Sequence, residues 1–185
     1  MSDQRAMEQT LISWLQVPRA VETAVAGLTA EDLDLRGGPN GWSIRENVHH
    51  VVESNLVACS IVIAAVGNSG CTYDCSWMTL EGKWMERMGY TGAPVAAAID
   101  ALSALCRHIG SLLQAAPDRP LSVVNLLLTP GGELCPMTAE QVIQQEVEHA
   151  RGHLQEIEQT LKQRSGASVA RPDFSGGLPQ QTGGA

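Results

Sequence analysis

Along the chain, stretches in which apolar residues recur every three to four positions alternate with short stretches rich in Gly, Pro, Asn and Ser. The first kind marks amphipathic helices and the second marks the turns between them. From about Asp3 to Gly27 the apolar row is Met7, Leu11, Trp14, Leu15, Val21 and Val25, continued by Leu28. Pro18 lies inside that row, where it removes a backbone donor, so a kink or break is expected there. Thr29, with Asp32 at the third helical position, predicts the capped start of a short helix reaching Leu33.

After the turn GGPNG at 37–41, the run Ser43-Ile44-Arg45-Glu46 reads as a capping box that opens a second long helix. Ile44, Val48, Val51, Val52, Cys59, Val62, Ile63 and Val66 form its apolar face, and Gly67 ends it. Pro94 opens a third long helix carrying Val95, Ile99, Leu102, Leu105, Ile109 and Leu112, which stops before Pro117. A second capping box, Thr138-Ala139-Glu140-Gln141, opens the fourth. Its apolar row is Val142, Ile143, Val147, Ala150, Leu154, Ile157 and Leu161.

The connections are mixed. The segment GNSGCTYDC reads as a loop, followed by a short helix through WMTLEGKWMERM. Trp77 and Trp84 would share one face of that helix as core residues. LSVVNLLLTPGGEL, at 121–134, is β-prone around a TPGG turn and predicts a small hairpin or an extended crossover. Residues 165–185 lack an apolar period and read as a flexible tail after a bundle domain over 1–164. The fold class is therefore all-α: a four-helix bundle with short extra helices and a small hairpin.

Composition narrows the partners. With four Trp, two Tyr and one Phe, the core must be aliphatic. Twenty acidic against twelve basic residues give a net charge of −8. Such a chain gains nothing electrostatically from nucleic acid or from an anionic membrane surface. No uninterrupted apolar run reaches the ~20 residues of a membrane span, and MSDQRAMEQT lacks a signal-peptide core. A soluble cytoplasmic protein acting on a small molecule is the expectation. The five cysteines agree with a reducing compartment. Cys59 and Cys106 fall in apolar helical rows as small hydrophobes, whereas Cys71 and Cys75 could chelate a metal or close a disulfide.

Candidate chemistry lies in the five histidines. His149 and His153 are four apart on the fourth helix, so both imidazoles sit on one face, toward the bundle. Alone, such a pair is common without a metal; a histidine on the facing helix changes its meaning. His49 and His50 flank the apolar stripe of the second helix on opposite sides, so at most one reaches inward, and periodicity leaves open which. Glu146 shares the face of His149 and His153 and could be a base or a hydrogen-bond partner. Glu53, one turn after His50, has the same standing. His108 reads as a surface or capping residue in the third helix. Trp42 precedes the Ser43 cap but lacks an apolar staple partner at Asn47, so it is expected to pack elsewhere in the bundle.

Two stretches resemble a known family. WSIRENVHHVVES is similar to the Trp-Ser-x-x-Glu-x-x-x-His stretch of the DinB/YfiT-like superfamily, matched by Trp42, Ser43, Glu46 and His50. HARGHLQEI is similar to its His-x-x-x-His-x-x-x-Ile stretch, matched by His149, His153 and Ile157. The resemblance covers roughly residues 3–163. It implies DinB-like bundle topology and a divalent metal, zinc or nickel, held by His50, His149 and His153, with His49 a bystander. Glu156 stands where the family often has Gln.

The resemblance further implies a thiol-dependent S-transferase or isomerase using a low-molecular-weight thiol, with a homodimer plausible by the same likeness. A metal-dependent hydrolase and a non-catalytic, stress-associated metal-binding bundle are the alternatives. No side chain is singled out as catalytic. An open coordination position beside a cavity would favour an enzyme; a fourth protein ligand or solid packing would favour the bundle alone.

Overall fold

The computed structural model describes residues 2–79, 84–116 and 118–167. The long helices are α1 (Ser2–Val25), α3 (Ile44–Gly67), α6 (Val95–Gln114) and α7 (Ala139–Ala167). Short helices α2 (Ala30–Leu33), α4 (Ser76–Thr79) and α5 (Trp84–Met88) fall in the connections. α1 and α3 each pack between α6 and α7, so α1 lies diagonally across the bundle from α3, and α6 from α7, whereas α3 and α6 are neighbours. Diagonal placement accounts for the long connections from α1 to α3 and from α6 to α7, because a simple up-down bundle would join neighbours by short loops.

The helix starts follow the sequence. Thr29 Oγ1 accepts from the Asp32 amide while the Asp32 carboxylate accepts from the Thr29 amide. The same reciprocal pair joins Ser43 to Glu46 and Thr138 to Gln141. Each satisfies backbone donors that a helix start leaves free and stabilises by about 1 kcal/mol. Pro18 does not break α1, which continues through it. The core is aliphatic apart from the fully buried Trp14 and includes Ile44, Val62, Leu102, Ile109 and Ile143. Gly110 lets α6 approach α1 closely: a Cβ there would lie 2.9 Å from Leu15 Cδ2.

Where the connections depart from expectation, non-local pairing is the cause. The expected hairpin forms from β2 (Val123–Leu127) and β3 (Leu134–Thr138), and Gly131 takes the positive φ of 69° after Pro130 in the turn. The segment read as a loop contains a strand, β1 (Cys71–Asp74), paired parallel to β2. The short helix read through 77–88 is instead two, α4 and α5, with residues 80–83 outside the described residues. Trp77 is 44% exposed and so is not core; its expected pairing with Trp84 rests on a side chain outside those described. Of the expected tail, residues 165–167 continue α7, and 168–185 lie outside the described residues.

By length and composition alone α3 and α6 would be able to cross a membrane, a test that the core helices of a bundle also pass. Here both are bundle helices that pack on each other.

Candidate metal centre

Local sequence sets where α3 starts and which way it turns. Ser43 caps it, and Arg36 grips Glu46 with two parallel bonds of 2.8 Å from its guanidinium to the two carboxylate oxygens. Arg45 is buried, donating to Asp34 at 2.7 Å and to the Ala93 carbonyl at 2.7 Å. The loop before the cap lies hard against α7, since a Cβ on Gly37 would sit 3.0 Å from Thr160 Oγ1. With the rotation of α3 fixed, Asn47 and His50, three apart, face α7, while His49 is turned about 100° away.

On that shared face the structure brings His50, His149 and His153 together. One ring nitrogen from each lies within 4.8 Å of the others. His153 Nε2 is 2.9 Å from His149 Nε2, and its Nδ1 is 2.7 Å from Asn47 Oδ1. Asn47 Nδ2 donates to the Ser43 carbonyl at 3.0 Å, which fixes the amide with its oxygen toward His153. An amide oxygen can only accept, so His153 carries its proton on Nδ1 and presents the Nε2 lone pair to the cluster. The cap residue and the histidine cluster are thus linked through one asparagine.

Burial favours the neutral form of His50 and His153. It holds the His50 pKa down at about 4, with His149 and His153 adding to the effect, and lowers that of His153 as well. The Nδ1 atoms of His50 and His149 are buried without a hydrogen-bond partner. Converging imidazoles, with lone pairs that protons cannot all satisfy, fit a divalent metal cation. No Cys, Asp, Glu or further His joins the group among the described residues.

Trp42 packs within the bundle as expected, against partners that the sequence did not identify. It packs on the cluster itself, stacked on His153 with ring centroids 5.4 Å apart and edge-on to His50 at 4.7 Å. Its position immediately before the Ser43 cap was the available signal. A cleft of about 400 Å³ opens beside it, lined by Trp42, His153, Glu156 and Thr160 among others. His153 therefore borders open space on one side.

The carboxylates divide by position. Glu146 Oε2 lies 3.7 Å from His149 Nδ1, too long for a hydrogen bond, and accepts from Asn55 Nδ2 at 3.2 Å. Asn55 in turn accepts from Trp14 Nε1 at 2.7 Å, so a buried polar chain runs from the core to the edge of the cluster. Glu156 is 3.5 Å from His153 Nδ1, but Asn47 at 2.7 Å is the atom that holds that nitrogen. Glu53 acts electrostatically on His49 and lies outside the three-histidine group.

The remaining candidates fall away from the cluster. His49 stacks flat on the buried Tyr90, centroids 4.6 Å apart, and burial lowers its pKa. His108 is exposed on α6, as expected. Cys71 and Cys75 are free thiols at opposite ends of β1. Four strand residues span about 13 Å, beyond the ~7 Å Cα separation a disulfide bridges, so they do not pair with each other. Burial pushes the Cys59 and Cys106 thiols up to about 12.

The fold and the cluster define a four-helix bundle with a candidate divalent-metal centre between two of its helices. The chain belongs to the DinB superfamily, whose family model matches residues 13–157. Among solved structures it resembles YfiT from Bacillus subtilis, described as "a probable metal-dependent hydrolase with an unusual four-helix bundle topology". The TM-score is 0.69 at 17% identity, over 86% of this chain and 87% of that one. At that identity the likeness speaks for the fold. A Bacillus licheniformis protein, provisionally named a metal-dependent hydrolase, is 33% identical over 55 residues, 30% of this chain. The match spans 31% of that relative's length.

Proposed function

We propose that the protein is a divalent-metal-dependent enzyme, with zinc or nickel held by His50, His149 and His153, that transfers a low-molecular-weight thiol onto a small electrophile. The observation that carries the reading is three converging imidazole nitrogens without a fourth protein ligand among the described residues, with an open cleft beside His153. Bound there, the ion supplies Lewis acidity to a coordinated sulfur or oxygen of the reactants. His153 is oriented for that task by Asn47, and Trp42 shields the two rings it covers from water. Glu146, beside His149, is placed to accept a proton from an incoming nucleophile.

Hydrolysis is the second reading, favoured by the same carboxylate and by the descriptions of the two relatives. Purified protein is expected to retain about one equivalent of zinc or nickel, lost in His153→Ala. Undiminished metal in that variant would sink the assignment. Metal-loaded protein assayed with a panel of thiols and a generic electrophile, beside a panel of esters and amides, separates the two reactions. Turnover of esters or amides without any thiol selects hydrolysis.

A further inference from the structure

A second cavity begins one helical turn from the histidines. The Trp42 cleft extends toward the C-terminal end of α7, through Glu156 to Gln163; this cavity extends the other way, past Glu146 to Val142. It encloses about 220 Å³ between α3, α4, β2 and α7. Val57, Ala58, Ile61, Leu126, Leu128 and Val142 make its walls apolar. Glu146 is the one acidic or basic side chain among its lining residues.

Glu146 is also where cavity and cluster meet, because its Oε2 is 3.7 Å from His149 Nδ1. Ser54, on the opposite wall, follows His50 by one turn of α3. Besides Glu146 the polar lining side chains are Ser54, whose hydroxyl donates to the Val51 carbonyl, Cys75 and Gln145; the remaining wall gives a polar ligand group no hydrogen-bond partner, and the acidic residue at the inner end disfavours an anion. An apolar group loses nothing there and gains by leaving water. At the ~30 Å³ share of one water molecule, the space takes about seven water-sized groups.

We propose that this cavity holds the uncharged aliphatic part of the substrate, about seven non-hydrogen atoms, with its reacting carbon at the histidines beside Glu146. The inference rests on the metal-site reading above and adds to it a substrate class, a small apolar electrophile.

Two ligand series test it. Straight-chain primary alcohols from propanol to nonanol are titrated into metal-free protein and followed by backbone amide shifts. Straight-chain alkyl hydroxamates of the same lengths are titrated into zinc-loaded protein. In both, affinity should rise about fourfold per added methylene until about seven non-hydrogen atoms are placed, then level off. The alcohol-induced shifts should centre on Val57, Leu126 and Val142. Leu128→Trp, at a position 45% exposed, should abolish the chain-length gain without disturbing the core. Met78→Ala, which enlarges the cavity, should move the plateau to longer chains.

Shifts centred instead on Leu154 and Leu161, in the groove between α1 and α7, overturn the proposal. So does a chain-length gain that survives Leu128→Trp. If the alcohols bind as expected but the hydroxamates show no gain with length, the cavity does not serve the histidines; the proposal falls and the metal reading stands. If zinc is not taken up, the metal reading itself falls, and the proposal with it.

Discussion

His49 and His50 are chain neighbours with opposite surroundings. His50 meets two other imidazoles and the edge of Trp42. His49, about 100° round the same helix, lies flat on Tyr90 and feels Glu53. Burial lowers both pKa values, so desolvation alone does not distinguish them. What differs is the company: three ring nitrogens converge around His50, while His49 faces one aromatic ring. A candidate metal site is thus a property of three facing side chains and not of a buried histidine.

The sharpest way to break the comparison is to remove each ring in turn. His50→Ala should lose the metal, by more than the ~100-fold that an outer partner costs, while His49→Ala retains it; elemental analysis after gel filtration reads both. Equal loss in the two would erase the distinction. Asn47→Leu comes next. It removes the acceptor that fixes the His153 tautomer, and metal affinity should fall about 10- to 100-fold with the helical circular dichroism unchanged. An unchanged affinity would mean that Asn47 orients nothing.

Acid sharpens the comparison further. In metal-free protein His50 is held at about 4 and His49 is also lowered, against about 6.5 in the unfolded chain. The unfolded state therefore binds more protons in that window, and stability rises with pH across it. The contribution is complete above about pH 6.5 and is lost as the pH falls toward about 4. Urea midpoints should be lower at pH 5 than at pH 7.5, and His50→Gln should flatten that slope. A midpoint independent of pH would contradict the burial of both rings. The smallest expected effect is that of His49→Phe. It keeps a flat ring against Tyr90 and should change stability by less than about 1 kcal/mol, with metal content unaltered. A loss of metal there would place His49 in the site after all.

Much of this was legible in the chain because it depends on local chemistry. The capping boxes at Thr29, Ser43 and Thr138 form as their spacing requires, since each is closed within four residues. The aliphatic rows became the bundle core for the same reason. β1 was not legible: CTYD sits among turn residues and becomes a strand only because β2 arrives beside it from some fifty positions along the chain, Cys71 pairing with Val124. That Trp42 packs elsewhere in the bundle was legible from its missing staple partner, but its partners His50 and His153 were not, because only the fold brings them together. The separation of Cys71 from Cys75 likewise follows from that strand.

By itself the sequence determined four amphipathic helices, their capped starts and the pairing of His149 with His153 on one face, all set by a period of 3.6 residues. Resemblance to the DinB family, not periodicity, singled out His50. Only the tertiary structure decided which face of α3 meets α7, that Asn47 orients His153, that Trp42 roofs the cluster and that an apolar cavity begins at Glu146. Those depend on helix rotation, which is fixed by contacts such as Arg36 with Glu46 and Arg45 with Asp34 between segments the local pattern does not connect.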